Sequence, residues 1–218
     1  MMTQKAARCY SLADKICLRI DQVLRVLSDQ VKTTGSPYPG DRIPETTLSA
    51  EEQRHAAALM RINHTGEVCA QGLYHGQRMV CFQPSMQAQL EQAALEEGDH
   101  LSWCKKRLDE LHSRTSYLNP LWYAGSFCLG MIAGVMGDGW SLGFVAETET
   151  QVIKHLTSHV EMLPLQDKRS LAIVKQMESD ESHHRQWAIE AGAKTLPDVV
   201  KRTMACVSGI MVKITYRV

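Results

Sequence analysis

Residues 95–100 read Leu-Glu-Glu-Gly-Asp-His, and within them Glu97 and His100 form a Glu-x-x-His pair. The surrounding apolar residues recur at helical spacing as Leu90, Ala94, Glu97, Leu101, Cys104, Leu108 and Leu111, so the glutamate sits where the pattern assigns a core position. A second pair, Glu181 and His184, lies in the stripe Leu171, Val174, Met177, Glu181, His184, Ala188, Ala191. A lone glutamate precedes each pair, Glu67 thirty residues before Glu97 and Glu149 thirty-two before Glu181. Glu149 interrupts Leu142, Val145, Val152, Leu156, Val160 and Leu163, and Glu67 falls, more weakly, with Met60, His64, Gln71 and Tyr74. Matching intervals describe an internal repeat of two helix hairpins, and hence an all-α chain built on a four-helix bundle.

Four carboxylates on faces meant for a core are strongly destabilising as bare charges, since an unpaired buried carboxylate costs several kcal/mol or takes up a proton. Something positive belongs among them. Two divalent cations supply about the four charges required, and helix bundles build dinuclear sites from one glutamate on each of two helices and a Glu-x-x-His on each of the other two. An isolated Glu-x-x-His is ordinarily a solvated face or a satisfied polar pair. Two in register with two more core-facing glutamates are a different matter. The oxygen-rich set with two imidazoles suits iron or manganese better than structural zinc, and iron is the expectation.

With 218 residues, 44% of them hydrophobic, the chain can bury a full core as one globular unit. Lys plus Arg and Asp plus Glu number 24 each, so no broad basic field exists to hold a phosphate backbone, and nucleic acid is not expected as a partner. Seven cysteines (9, 17, 69, 81, 104, 128 and 206) form no Cys-x-x-Cys pair, which fits free thiols in a reducing compartment. The first ten residues hold Lys5 and Arg8 but no apolar run like a secretory signal, so the cytosol or the cytosolic face of a membrane is expected.

In chain order, Leu12, Ile16, Ile20, Val23, Leu27 and Val31 predict an amphipathic helix with a capped start at Ser11 and Asp14. Residues 32–45 hold three prolines and two glycines and read as a linker, open to being mobile, so 1–45 form an N-terminal arm and 46–218 the main domain. Ser49 and Glu52 form a capping-box signature for a helix running toward Cys81. Another follows Pro84 to about His112, and two more cover roughly 142–163 and 166–191, parted at Pro164, with Gly192 placed to end the last. Between the hairpins, Leu121 to Gly137 is a charge-free run of seventeen residues. A spanning helix needs about twenty, so this segment reads as monotopic, or else as a buried crossover between hairpins. Gly130 and Gly134 make a small-xxx-small pair suited to close packing. In the tail, Val200, Met204, Val207, Met211 and Ile214 among Lys201, Arg202, Lys213 and Arg217 describe a cationic amphipathic helix, of a kind found both at membrane interfaces and on ordinary protein surfaces.

The strings LMRINHTGEVCAQGLYHGQ (59–77), LEEGDHLSWCKKRLDEL (95–111), LNPLWYAGSFCLGMIAG (118–134), GFVAETETQV (143–152) and ESHHRQWAIEAGA (181–193) together resemble the Coq7 family of di-iron hydroxylases of ubiquinone biosynthesis. The likeness runs from about Glu52 to the C-terminus. It implies a ferritin-like four-helix bundle with extra N- and C-terminal helices and an apolar crossover. It also implies that Glu67, Glu97, His100, Glu149, Glu181 and His184 are the metal ligands and carry catalysis, with Glu97 and Glu181 bridging and Glu67 and Glu149 more terminal. Thr65 departs from the alanine of the family's NHAGE string. Glu147, two positions from Glu149 and so roughly 200° around the helix, should point away, and His183 lies off the stripe.

The reaction so implied is O2-dependent hydroxylation of the ring of 2-polyprenyl-3-methyl-6-methoxy-1,4-benzoquinol. It would use two iron ions, with NADH or another reductant as electron source; no nicotinamide-binding fingerprint is visible, and Gly137-Asp138-Gly139 has neither its spacing nor its context. A polyprenyl substrate resides in the bilayer, so peripheral association with the cytoplasmic face of the cell membrane is expected, residues 121–137 giving the apolar contact. Other proteins of ubiquinone biosynthesis, or a second copy of the chain, are the partners this leaves open. Three rivals share some of the features: a ferritin-like iron-storage or peroxide-detoxifying protein, a radical generator using Tyr74 two turns from Glu67, and a metal-free quinone-binding bundle.

Overall fold

The structure is a computed structural model, and it describes residues 11–218; Lys5, Arg8 and Cys9 lie outside them. The described residues form seven helices and no strands. These are α1 (Leu12–Leu27), α2 (Ala50–Val80), α3 (Pro84–Glu110), α4 (Asn119–Val135), α5 (Asp138–Met162), α6 (Lys168–Glu190) and α7 (Asp198–Thr215). Ser11 and Ser49 cap α1 and α2 in capping boxes with Asp14 and Glu52. Pro84 opens α3, where its missing N–H costs nothing. Gly192, at φ 100°, lies just past α6, where a left-handed residue ends a helix. Helix α5 starts at Asp138, four residues before the expected start. Gly137 turns the chain at φ 102°, and an acid in the first turn suits the helix dipole.

Helices α2, α3, α5 and α6 make the bundle. Its core is two apolar plugs with a polar layer between them. One plug joins Leu59, Met60, Leu108, Leu156, Val174 and Met177; the other joins Tyr74, Leu90, Ala94, Leu142, Val145 and Ala188. The order of these residues along the chain sets the directions: α2 and α6 run one way, α3 and α5 the other. Two hairpins joined in that order need a connection that travels the length of the bundle, and α4 is that crossover. It lies along α2 at backbone contact. A Cβ added to Gly76 would collide with the Phe127 carbonyl, and one on Gly130 with the Leu73 carbonyl, while one on Gly72 would sit 2.7 Å from the Tyr123 oxygen. Gly72 and Gly76 on α2 and Gly130 and Gly134 on α4 thus line one seam between the two helices, so the small-residue pair serves helix packing.

The opposite face of α4 stays open, with Leu121, Leu129, Ile132, Val135 and Met136 exposed. No helix of the described residues is long and apolar enough to cross a membrane. Helix α1 packs on α2, its Val26 in a cluster with Val68 of α2, Leu101 of α3 and Tyr123 of α4, while Leu12, Ile16, Ile20 and Leu24 are exposed.

The proline-rich segment between α1 and α2 lies along α3 and is held there. Asp99 accepts hydrogen bonds from the backbone of Thr34 and Gly35, at 3.1 and 3.2 Å, and from the Thr34 hydroxyl. Tyr38 donates to Glu110, and the fully buried Arg107 pairs with Glu45, Glu110 and Asp167 at 2.8–2.9 Å.

Candidate metal centre

The polar layer contains Glu67 from α2, Glu97 and His100 from α3, Glu149 from α5, and Glu181 and His184 from α6, none more than 6% exposed. Helical spacing carries each one inward, and the apolar plugs above and below exclude water from their surroundings. Ligand atoms of Glu67, Glu97, His100 and Glu181 all lie within 4.8 Å of one another. Glu97 sets one oxygen 3.1 Å from His100 Nδ1 and the other 3.1 Å from His184 Nδ1. Glu181 does the same, with both distances at 3.2 Å. Two carboxylates therefore span the same two imidazoles, while Glu67 approaches only His100, at 3.8 Å. Glu149 stands on the far side, where the buried Tyr74 hydroxyl donates to its Oε1 at 2.7 Å.

This concentration of charge perturbs Glu67, Glu97, Glu149, His100 and His184. Burial drives Glu67 well above the usual carboxylate range despite its hydrogen bond with His100. Glu149 is driven the same way by burial and by the charges of Glu181 and Glu97. For Glu97, burial opposes ionisation, but hydrogen bonds with His100 and His184 outweigh it and hold the group ionised. Burial likewise opposes charge on His100 and His184, and is overcome by carboxylate partners. The Tyr74 hydroxyl is raised by burial and by Glu149. A buried layer in which Glu67 and Glu149 resist ionisation while both imidazoles hold their protons is a donor set short of positive charge. Two divalent metal ions of moderate hardness fit it in charge and in ligand type.

Several residues stand as the sequence placed them. Glu147 faces α7 and Lys201, and His183 is exposed. Thr65 is buried and donates to Asn119 Oδ1 at 3.0 Å, so its hydroxyl is satisfied without touching the glutamates. His64, in the same stripe as Glu67, belongs to a different contact: its Nε2 is 2.7 Å from Asp29, the left-handed residue that ends α1.

Two acids escaped the sequence reading. His100 Nε2 lies 3.1 Å from Asp180 on α6, and His184 Nε2 lies 2.6 Å from Glu96 on α3. Each stands directly before the glutamate of the opposite Glu-x-x-His. That doubled acid, Glu96-Glu97 and Asp180-Glu181, was the available signal. Both carboxyls, with Asp99, Trp103 and Thr34, line a polar groove of about 310 Å³ outside His100.

Comparison with known proteins gives the same picture from another direction. Residues 54–215 match the model of the family described as ubiquinone biosynthesis protein COQ7. The chain is 49% identical over 209 residues to a 3-demethoxyubiquinol 3-hydroxylase of Acinetobacter baumannii, covering 96% of this chain and 99% of the relative. It is 50% identical over 209 residues to the enzyme of the same name from Polynucleobacter asymbioticus, covering 95% and 100%, and 49% identical over 210 residues to that of Chromohalobacter salexigens, covering 96% and 99%. With a match across the whole bundle, crossover and α7 included, the chain belongs to the Coq7 family of ubiquinone-biosynthesis hydroxylases.

Proposed function

We propose that the chain is a 3-demethoxyubiquinol 3-hydroxylase, inserting one atom of O2 into a ring C–H bond of a polyprenyl benzoquinol while the other leaves as water. The balance takes two electrons and two protons from a reductant, for which NADH, direct or through a carrier, is the proposed source. Glu67, Glu97, His100, Glu149, Glu181 and His184 would hold two iron ions, Glu97 and Glu181 being the carboxylates that reach both histidines. The observation that carries this reading is the pairing of both oxygens of Glu97 and of Glu181 with the same two histidines. An iron pair held by these residues would supply the redox chemistry that O2 activation requires.

The protein's own groups do the rest. The plugs around Met60 and Tyr74 keep water from the layer. Tyr74 holds one oxygen of Glu149 and fixes that carboxylate's rotamer. The exposed apolar faces of α4 and α1 meet the bilayer that carries the substrate, giving peripheral attachment at the cytoplasmic face of the membrane. The experiment is anaerobic reduction of the iron-loaded protein with a demethoxyquinol, then exposure to 18O2 and mass spectrometry of the quinone. A ring product heavier by one labelled oxygen is expected. Uptake of many iron atoms per chain without ring oxidation would point to iron storage instead.

A further inference from the structure

The two halves of the centre repeat more than their ligands. Residues 92–100 read QAALEEGDH and residues 176–184 read QMESDESHH, so both follow Gln-x-x-x-acid-Glu-x-x-His. The added positions make the same contacts twice. Gln92 donates to Glu96 at 2.7 Å and Gln176 to Asp180 at 2.9 Å, each one helical turn along. The free oxygen of each acid then crosses to the opposite helix: Glu96 to His184 Nε2 and Asp180 to His100 Nε2. Both imidazoles turn Nδ1 to the bridging glutamates and Nε2 to the outer acid.

We propose that Glu96 and Asp180, braced by Gln92 and Gln176, are paired positioning residues that hold His184 and His100 in the tautomer that presents Nδ1 to the metal. This rests on the metal centre proposed above and adds how it is kept in register. A neutral imidazole has one N–H and one lone pair, and an anionic acceptor at Nε2 draws the N–H there and frees the lone pair at Nδ1. The acceptor also raises the basicity of the ligating nitrogen and fixes the ring plane. Because each acid sits on the helix opposite its histidine, the cross-braces tie α3 to α6 at the level of the ions. The repeat therefore duplicates a whole half-site, its outer support included.

The test measures metal affinity directly. Anaerobic Co(II) and Fe(II) titrations, by calorimetry and the Co(II) visible bands, compare the full-length protein with Glu96→Ala, Asp180→Ala, Glu96→Gln and Asp180→Asn. Glu190→Ala is the control, because Gln186 donates to Glu190 in the same i,i+4 manner and Glu190 pairs with no histidine among the described residues. The expected result is two ions per chain in the wild type and about a 10- to 100-fold weaker affinity in the alanine variants. The amide variants, which keep an acceptor without its charge, should recover part of the loss, with melting of the metal-free protein unchanged relative to Glu190→Ala. Wild-type affinity in Glu96→Ala and Asp180→Ala would overturn the proposal while leaving the metal centre intact. Fewer than two ions in the wild type would overturn both. Should the alanine variants fail to fold, the amide variants decide: reduced affinity supports the role and wild-type affinity refutes it.

Discussion

At the scale of single residues, burial and partner together decide what each polar group does. Tyr74 and His159 show two outcomes. Tyr74 is fully buried and gives its proton to Glu149 in a hydrogen bond, a structural use that does not require the ring to change oxidation state. Tyr74→Phe is expected to cost on the order of 1–3 kcal/mol, the penalty for leaving Glu149 Oε1 without that donor, yet to retain hydroxylation. Turnover by mass spectrometry checks this, and a complete loss with normal iron content would favour radical chemistry. His159 is also buried, with Nδ1 donating to Asn63 Oδ1 at 2.7 Å. Burial, then the charges of His155 and His55, lower it to about 4. Its folded value lies below its unfolded one, so its contribution is whole above about pH 6.5 and is lost as pH falls toward 4, amounting to about 3 kcal/mol. Melting temperatures from pH 7 to pH 4 should fall less steeply for His159→Gln than for the wild type. Parallel curves would show that His159 carries no such linkage.

At the scale of elements, the contact between α2 and α4 is the most demanding in the fold, because backbone meets backbone with glycines on both sides. In Gly76→Ala the new Cβ meets the Phe127 carbonyl and, at 2.9 Å, the Met131 nitrogen, neither of which can swing aside. Overpacking of this kind costs about 1–3 kcal/mol and should push α4 off its seat. Gly125→Ala on the open side of α4 meets no atom within 4 Å, and should be neutral or stabilising by up to about 1 kcal/mol. Thermal unfolding of the two variants checks the contrast, and equal stability would mean that α4 is not held by this seam. The same element scale explains the segment after α1. Its prolines and glycines left it open to being mobile, but Asp99 and Arg107 reach out from α3 and hold it. Nothing in the spacing of a single helix announces a partner more than sixty residues away.

Across the whole molecule, polar and apolar regions are segregated. The carboxylate layer is enclosed between two plugs, and α4 and α1 each leave several large apolar side chains exposed. Leu129→Glu with Ile132→Glu replaces two exposed side chains that touch no ligand, so folding and iron content should survive. Binding to vesicles of neutral and anionic lipid should fall at least tenfold, and turnover on long-tailed substrate should fall with it while a short-tailed analogue is still converted. Co-sedimentation and parallel assays check this. Vesicle binding equal to that of the wild type would remove α4 from the membrane contact.

Sequence by itself determined the four-helix bundle, the hairpin repeat and the six inward-facing side chains, because helical period alone tells whether a glutamate falls on the stripe that must be buried. It also determined the helix ends at Ser49, Pro84 and Gly192, where capping chemistry is local. Only the tertiary structure decided which carboxylates span both histidines, that Glu96 and Asp180 support them from the opposite helix, and that α4 is at once a crossover and an open apolar face. Those are relations between helices, and a partly exposed acid next to a ligand looks, along one helix, like any other solvated charge until the antiparallel pairing of α3 and α6 sets it against an imidazole.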